Sequence, residues 1–342
     1  MFKYFTDKSN MDSEYTYAVG SIRQLENTLL GQENLDKMIE ATNLDSCLNI
    51  LLESKFKSGG AENINPQNIE EFLETELFLT YKIIKEIAPY PFIHDIFAIN
   101  YDFHNLKVLI KSKYTNKNYS ETTSKIGLVD INNLNKAIDE EKFANIPLFI
   151  ELAIKKVFSE YNKESDPEII DVILDQERFY LICEILKDKK IPFLDEFIKI
   201  NIDLNNLIAA VRSKIREEDK NYLNKVLIDK GHISVKKFQD IFDSPLQSWN
   251  VKFSKSQYEN IIENGLKAYE TDNSLIELER QKDNYILDYV KIGKNITFGI
   301  EPLVGFIIAK ENDIKNIRII LTGKINNWSA KKIKERMRDT YV

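Results

Sequence analysis

Side chains able to move a proton or hold a metal are sparse in this sequence. Its histidines are His94, His104 and His232. "IHDIF" sets His94 beside Asp95, a dipeptide that a metal-dependent phosphohydrolase could use as paired ligands. Such a centre needs further His and Asp ligands converging on it. The one histidine nearby is His104, so a surface or capping role is the simpler reading. "ESKFKSGG" (53–60) and "IRIILTGK" (317–324) bring glycine and lysine together, but without a G-x-x-x-x-G-K-[ST] cradle or a strand-coupled G-x-G-x-x-G. Gly323 stands where the matching segments carry Ser112 and Ser213, which points to helix-end geometry. No serine nucleophile elbow or Cys-His pair occurs. No catalytic residue, cofactor or metal is expected.

The acidic residues give a clearer pattern. "YDFHNLKVLIKSK" (101–113), "IDLNNLIAAVRSK" (202–214) and "NDIKNIRIILTGK" (312–324) share one skeleton: Asp, Asn three later, Lys eleven later, with aliphatics between. The members are Asp102, Asn105 and Lys113; Asp203, Asn206 and Lys214; and Asp313, Asn316 and Lys324. Convergence on an axis would make a carboxylate cluster of the three aspartates. Their context argues for architecture instead. One, four, seven and eight residues after each Asp the sequence is apolar: Phe103, Leu106, Leu109, Ile110; Leu204, Leu207, Ala210, Val211; Ile314, Ile317, Ile320, Leu321. That spacing is a wide helical stripe facing a core. The Asp is expected as the N-cap of this helix and the Asn as its first-turn partner in a loose capping box. The Lys is expected as a cation at the negative end of the helix dipole.

The register extends on both sides. Phe78 and Phe179 lie 24 residues before their Asp inside helical stretches, and Tyr285 lies 28 before, which fits a four-residue insertion in "NITFGIEP". Downstream come "GLVDINNL", "GHISVKKF" and "NNWSAKKI", where Asp130, Ser234 or Ser329 precedes an apolar-x-x-apolar pattern and reads as the N-cap of a new helix. Such recurrence argues for duplication. Asp102 and Asp203 are 101 residues apart, Asp203 and Asp313 are 110 apart, and ordinary solenoid repeats run only about 20 to 50 residues. Each copy is therefore large enough to be a helical domain, with expected limits 1–120, 121–225 and 226–342. "KSGGAENINPQN" (57–68) reads as a loop inside the first copy, and "KYTNKNYSETTSK" (113–125) as a polar passage to the second.

Composition agrees with an all-α protein. Gly (11) and Pro (8) together are 19 of 342 residues, well under the roughly 12% those two types average. Net charge is −7, so the cationic field that supplies nonspecific nucleic-acid affinity is missing and no nucleic-acid partner is expected. Cys47 and Cys183 are isolated and "MFKYFTDKSN" is no secretory leader, which places the chain in the cytoplasm. The longest apolar run, "PLVGFIIA" from Pro302, is bounded by Glu301 and Lys310 and is too short to span a bilayer. The tail "KKIKERMRDTYV" reads as a solvated terminal helix whose cations suit its dipole, with docking of an acidic partner as the alternative.

Two segments carry a resemblance: the opening "YAVGSIRQLENTLLGQENLDKMIEA" and the ending "PLVGFIIAKENDIKNIRIILTGKINNWSAKKIKERMRDTYV". The chain resembles the C subunit of bacterial and archaeal V-type (A-type) ATPases, known as the d subunit in eukaryotic vacuolar enzymes. Arg23, Arg318, Gly323, Tyr341 and Val342 carry the likeness. The resemblance implies a funnel of three related helical domains about a pseudo-threefold axis. It also implies a non-catalytic central-stalk subunit on the cytoplasmic face of the membrane. There the protein would join the rotor ring to the shaft made by the D and F subunits and transmit torque for proton or sodium transport. A general helical scaffold unrelated to rotary ATPases is the rival reading.

Overall fold

A chain poor in glycine and proline and rich in Leu, Ile, Lys and Glu has little to interrupt helices, and helices are what it forms. The computed structural model describes residues 13–56, 65–115, 117, 119, 122–164 and 166–342. The opening decapeptide, residues 57–64 of the first-copy loop, and residues 116, 118, 120 and 121 of the polar passage lie outside them. The α-helices are α1 (Thr16–Leu25), α2 (Gln32–Glu40), α3 (Leu44–Glu53), α4 (Ile69–Ile87), α5 (Pro91–Thr115), α6 (Ile131–Asp139), α7 (Leu148–Glu164), α8 (Glu168–Leu186), α9 (Pro192–Ile215), α10 (Lys220–Val226), α11 (Val235–Phe242), α12 (Trp249–Lys252), α13 (Glu259–Asp272), α14 (Ile276–Val290), α15 (Glu301–Ile325) and α16 (Ala330–Lys334). No strand occurs among the described residues, so the fold is all-α. None of the described helices is long and apolar enough to cross a membrane.

The chain divides into two compact units, Met1–His94 with Lys255–Val342, and Asp95–Ser254. In the first, α15 is the central helix. Leu303, Val304, Phe306, Ile307 and Ala309 are buried beside Ile314, Ile317 and Ile320, so apolar residues cover most of its circumference. A helix apolar nearly all round belongs inside a protein, and α1, α2, α3, α4, α14 and α16 pack around this one. In the second unit α9 has the same position, with Phe193, Leu194, Phe197, Ile200 and Ile202 buried and α8, α10 and α11 against it.

The long helices α5, α9 and α15 carry the repeated segment, and each begins at or beside a proline: Pro91, Pro192 and Pro302. Proline suits a helix start because its missing amide hydrogen is one the first turn leaves unpaired anyway. Every apolar position expected of the stripe is buried, none of the twelve exceeding 6% exposure. Phe78, Phe179 and Tyr285 fall on α4, α8 and α14, the helices that precede the long ones. Phe179 is buried, whereas Phe78 is exposed.

The expected caps also form. Asp130 accepts from the Asn132 and Asn133 amides at the start of α6, Ser234 from Lys237 at the start of α11, and Ser329 from Lys332 at the start of α16. Replacing Asp130 with Ala removes the one carboxylate oxygen that accepts from both amides and should lower stability by about 1 kcal/mol. Denaturant unfolding measures it, and an unchanged midpoint would contradict the capping role.

Candidate functional site: three helix clasps

The repeated aspartates lie about three turns into α5, α9 and α15, far from any helix start, which overturns the N-cap expectation. Their carboxylates are buried at 1% exposure or less and accept from the backbone of an incoming segment. Asp102 receives the amides of Leu128 (3.1 Å) and Val129 (3.0 Å). Asp203 receives those of His232 (3.1 Å) and Ile233 (2.9 Å). Asp313 receives the amide of Leu30 (2.8 Å). Burial raises the Asp102 carboxyl to about 6, with the Val129 and Leu128 amides pulling the other way.

Close approach of backbone to carboxylate explains two glycines. A Cβ on Gly127 would lie 2.4 Å from Asp102 Oδ1, and one on Gly231 would lie 2.1 Å from Asp203 Oδ1. A side chain at either position would push the incoming strand off its acceptor.

The asparagines belong to no capping box. Each pairs through both ends of its amide with one backbone residue: Asn105 with Ser124, Asn206 with Ile228, Asn316 with Arg338. A side-chain amide offers one donor and one acceptor face. It therefore satisfies both the N–H and the C=O of a residue outside any helix, buried at Ser124 and Ile228 and half-buried at Arg338.

The lysines do sit in the last turn of their own helices, as expected, and they do more. Lys113 donates to the Ile138 carbonyl near the end of α6. Lys214 donates to the Phe242 carbonyl at the end of α11 (2.7 Å). Lys324 donates to Ile39 (2.5 Å) and Ala41 (2.6 Å) at the end of α2. One ammonium thus meets the negative ends of two helices. Asp and Lys together bracket a short helix, the Asp at its entry and the Lys at its exit. Eleven residues of helix span about 16 Å, enough for the eight or nine residues of α11, α6 and α2 lying alongside.

The third clasp corrects a second expectation. "NNWSAKKI" does start a capped helix, but the helix held between Asp313 and Lys324 is α2, near the other end of the chain. In the first two copies four residues separate the Asn-bound residue from the first Asp-bound one. Four residues beyond Arg338 the sequence stops at Val342, and the side chain of Val342 lies 3.9 Å from where a Gly31 Cβ would stand. The copy is completed by a segment 283 residues distant in sequence.

The residues that carry the resemblance knit the same unit together. Arg23 of α1 donates to the carbonyls of Gly293 and Ile296 (both 2.7 Å) and pairs with Glu26. Tyr341 is buried, its hydroxyl 3.5 Å from Glu26, and a Cβ on Gly305 would come 2.7 Å from that hydroxyl. Arg318 pairs with Glu70 on the surface at 2.9 Å. Gly323 leaves room for Ile333, and its carbonyl accepts from the Trp328 amide (2.8 Å) beyond the left-handed Asn327. That is a Schellman helix end, as its sequence position suggested.

The tail differs from the expected terminal helix. Its helix stops at Lys334, which pairs with Asp36 and Glu40, and the following backbone is taken by Asn316 at Arg338. Arg338 also pairs with Asp283 at 2.9 Å, while Lys332 and Arg336 lie over the Trp328 ring. These side chains are fasteners, whereas Lys331 is largely exposed.

His94 is buried edge-on against Tyr81, His104 meets the Thr122 carbonyl at 2.8 Å, and His232 meets Glu196 at 3.0 Å. Among the described residues no three His, Cys, Asp or Glu side chains gather closely enough to hold a metal ion. A cavity of about 300 Å³ opens between α8, α9 and α10, but its rim is internally paired. There Glu168 engages Arg216 and the Tyr222 hydroxyl, and Asp171 engages Lys111 at 2.5 Å.

Residues 18–336 match the ATP synthase (C/AC39) subunit family. The chain is 26% identical over 326 residues to the C subunit of the V-type sodium ATPase of Enterococcus hirae, an alignment covering 94% of this chain and 97% of that one. It is 23% identical over 341 residues to the C subunit of the A-type ATP synthase of Methanocaldococcus jannaschii, covering 94% and 85%. Over 329 residues it is 23% identical to the corresponding A-type ATP synthase C subunit of Methanosphaera stadtmanae, covering 91% and 84%. The chain therefore belongs to the ATP synthase (C/AC39) subunit family.

The clasp makes its own predictions for stability. Asn206→Ala leaves the Ile228 N–H and C=O unpaired and should cost about 1–3 kcal/mol. Gly231→Ala should cost a similar amount, about 1–3 kcal/mol, through overpacking. Asp203→Asn sets an amide donor against a backbone donor and should also lower the melting temperature. Thermal unfolding of the three variants checks this, and wild-type melting in any of them would remove that residue from the clasp.

Proposed function

We propose, from membership of that family, that this chain is a non-catalytic central-stalk subunit of a V-type/A-type rotary ATPase. It joins the membrane rotor ring to the central shaft of the D and F subunits, at the cytoplasmic face, and passes torque between them. The single observation that supports this most is the match across residues 18–336 of this 342-residue chain.

The clasps fit such a task. Torque must pass through elements that do not slide, and a helix held at both ends against a longer one is fixed along its axis. The Asp and Asn attachments come from buried side chains, and the half-buried lysines add charge-assisted hydrogen bonds at the helix exits. We further propose three related helical domains, 1–120, 121–225 and 226–342, with the third completed by residues 29–41. A ring of many copies and a single shaft have unlike symmetry, and three similar but non-identical helical sets offer surfaces to both.

Reconstitution tests the role. A complex assembled without this chain should keep ATP hydrolysis in its soluble head while ATP-driven ion transport falls to background. Adding the purified chain should restore transport, and the chain should co-purify with ring and shaft subunits. Ion pumping that survives removal of the chain, or a pull-down without rotary-ATPase subunits, would return the protein to the class of general helical scaffolds.

A further inference from the structure

Asp313 differs from its two counterparts in one atom. Asp102 and Asp203 each fill both carboxylate oxygens with consecutive backbone amides. Asp313 gives Oδ2 to Leu30, and its Oδ1 is buried with no hydrogen-bond partner. Connectivity explains the missing donor. The segment entering this clasp leaves α1 through a 3-10 turn, Glu26–Thr28, and the Leu29 amide is committed to the Glu26 carbonyl at 3.2 Å.

Beside the empty oxygen lies a charge the other copies lack. Three residues before Asp313 is Lys310, where the other copies have the buried Ile99 and Ile200. Residues three apart on a helix are neighbours. The Lys310 ammonium is out of water, donates to the Phe56 carbonyl (2.7 Å), lies 3.5 Å from the centre of the Phe56 ring and stands 3.8 Å from Glu76 of α4. Its charge is thus shared between two buried carboxyl groups. An ionised Asp313 would leave a carboxylate in the interior with one oxygen unfilled and only part of one cation to balance it, an arrangement that favours the neutral acid.

We propose that the third clasp carries a titratable proton on Asp313, and that losing it loosens residues 29–41 from α15. The copies closed through continuous chain lack this sensitivity in its full form, because their aspartates have both oxygens filled. The proposal does not depend on the role in a rotary complex.

Other ionisable groups lie on and around α15, among them Glu301 in its first turn, whose carboxyl is also raised by burial. On α14, Asp283 is taken by Lys315 and Arg338. At the end of α1, Glu26 pairs with Arg23, and Lys294 binds the Tyr341 carbonyl. Glu311 receives the Tyr81 hydroxyl from α4. On α3, burial pushes the Cys47 thiol up to about 11. Lys334 of α16 meets Asp36 and Glu40 of α2, and Lys324 meets the α2 carbonyls. Lys310 is the charged group whose field reaches Asp313.

Burial raises the Asp313 carboxyl to about 7, against the opposing Leu30 amide and Lys310 ammonium, and the same burial lowers Lys310. The folded value lies above the unfolded one. The stabilising contribution is therefore full below the ordinary aspartate range and is lost as pH rises through about 7.

Hydrogen exchange of the full-length purified chain, corrected for intrinsic rates, reads this directly. Protection of residues 29–41 should fall about fivefold or more between pH 6 and pH 8. Asp313→Asn mimics the neutral acid and should keep protection while abolishing the slope. Glu76→Gln leaves Lys310 to balance an ionised Asp313 and should also flatten the profile. Protection that is flat in the wild type, or an Asp313→Asn variant that keeps the wild-type slope, would overturn the proposal. Should Asp313→Asn fail to fold, the carboxyl carbon of Asp313 in the wild type still decides by NMR titration: a midpoint near neutrality supports the proton, and one near pH 4 removes it.

Discussion

A buried carboxylate that accepts backbone amides from a passing segment is the interaction on which this structure turns. The amides just before a short helix have no partner of their own, and a carboxylate inside a long neighbouring helix supplies it. Burying that charge costs stability, which is why the Asp102 carboxyl is raised despite two hydrogen bonds. What the arrangement contributes in return is register. Carboxylate, asparagine amide and ammonium lie on one helix at fixed spacing, so the incoming extended residue, the helix entry and the helix exit are fixed together.

The break in the chain makes sense on the same terms. Two copies of the clasp are closed by backbone that follows within 30 residues, and the third is closed by two segments far apart in sequence. The C-terminal segment supplies the residue held by Asn316, and the N-terminal segment supplies the amide held by Asp313. Arg23, Glu26 and Tyr341 then fasten the region where these ends approach. Residues that read as signatures at the extremities of the sequence are thus the joints of one buried assembly.

Among the described residues no three His, Cys, Asp or Glu side chains gather closely enough to hold a metal ion. The histidines are separately engaged, the charged rim of the cavity between α8, α9 and α10 is paired, and of the tail cations Lys334 and Arg338 are held in ion pairs. The family to which the chain belongs is one of ATP synthase subunits.

The sequence by itself determined the all-helical class, the three recurrent segments, their buried stripes and the caps at Asp130, Ser234 and Ser329. These depend on residues within a few positions of one another, and helical periodicity and capping are local. Tertiary structure alone decided what the repeated polar residues touch. An Asp followed three later by Asn has the look of a capping box, because the nearest unsatisfied amides that sequence can see belong to its own helix. The true partners arrive 19 to 30 residues later in the first two copies, while in the third Asn316 takes Arg338, 22 residues later, and Asp313 takes Leu30, 283 residues earlier. Gly127 and Gly231 were the available sign, each three residues before a cap, but only folding brings them against a carboxylate. The exchange of α16 for α2 left no local trace, because Leu30 and Asp313 are 283 residues apart in sequence.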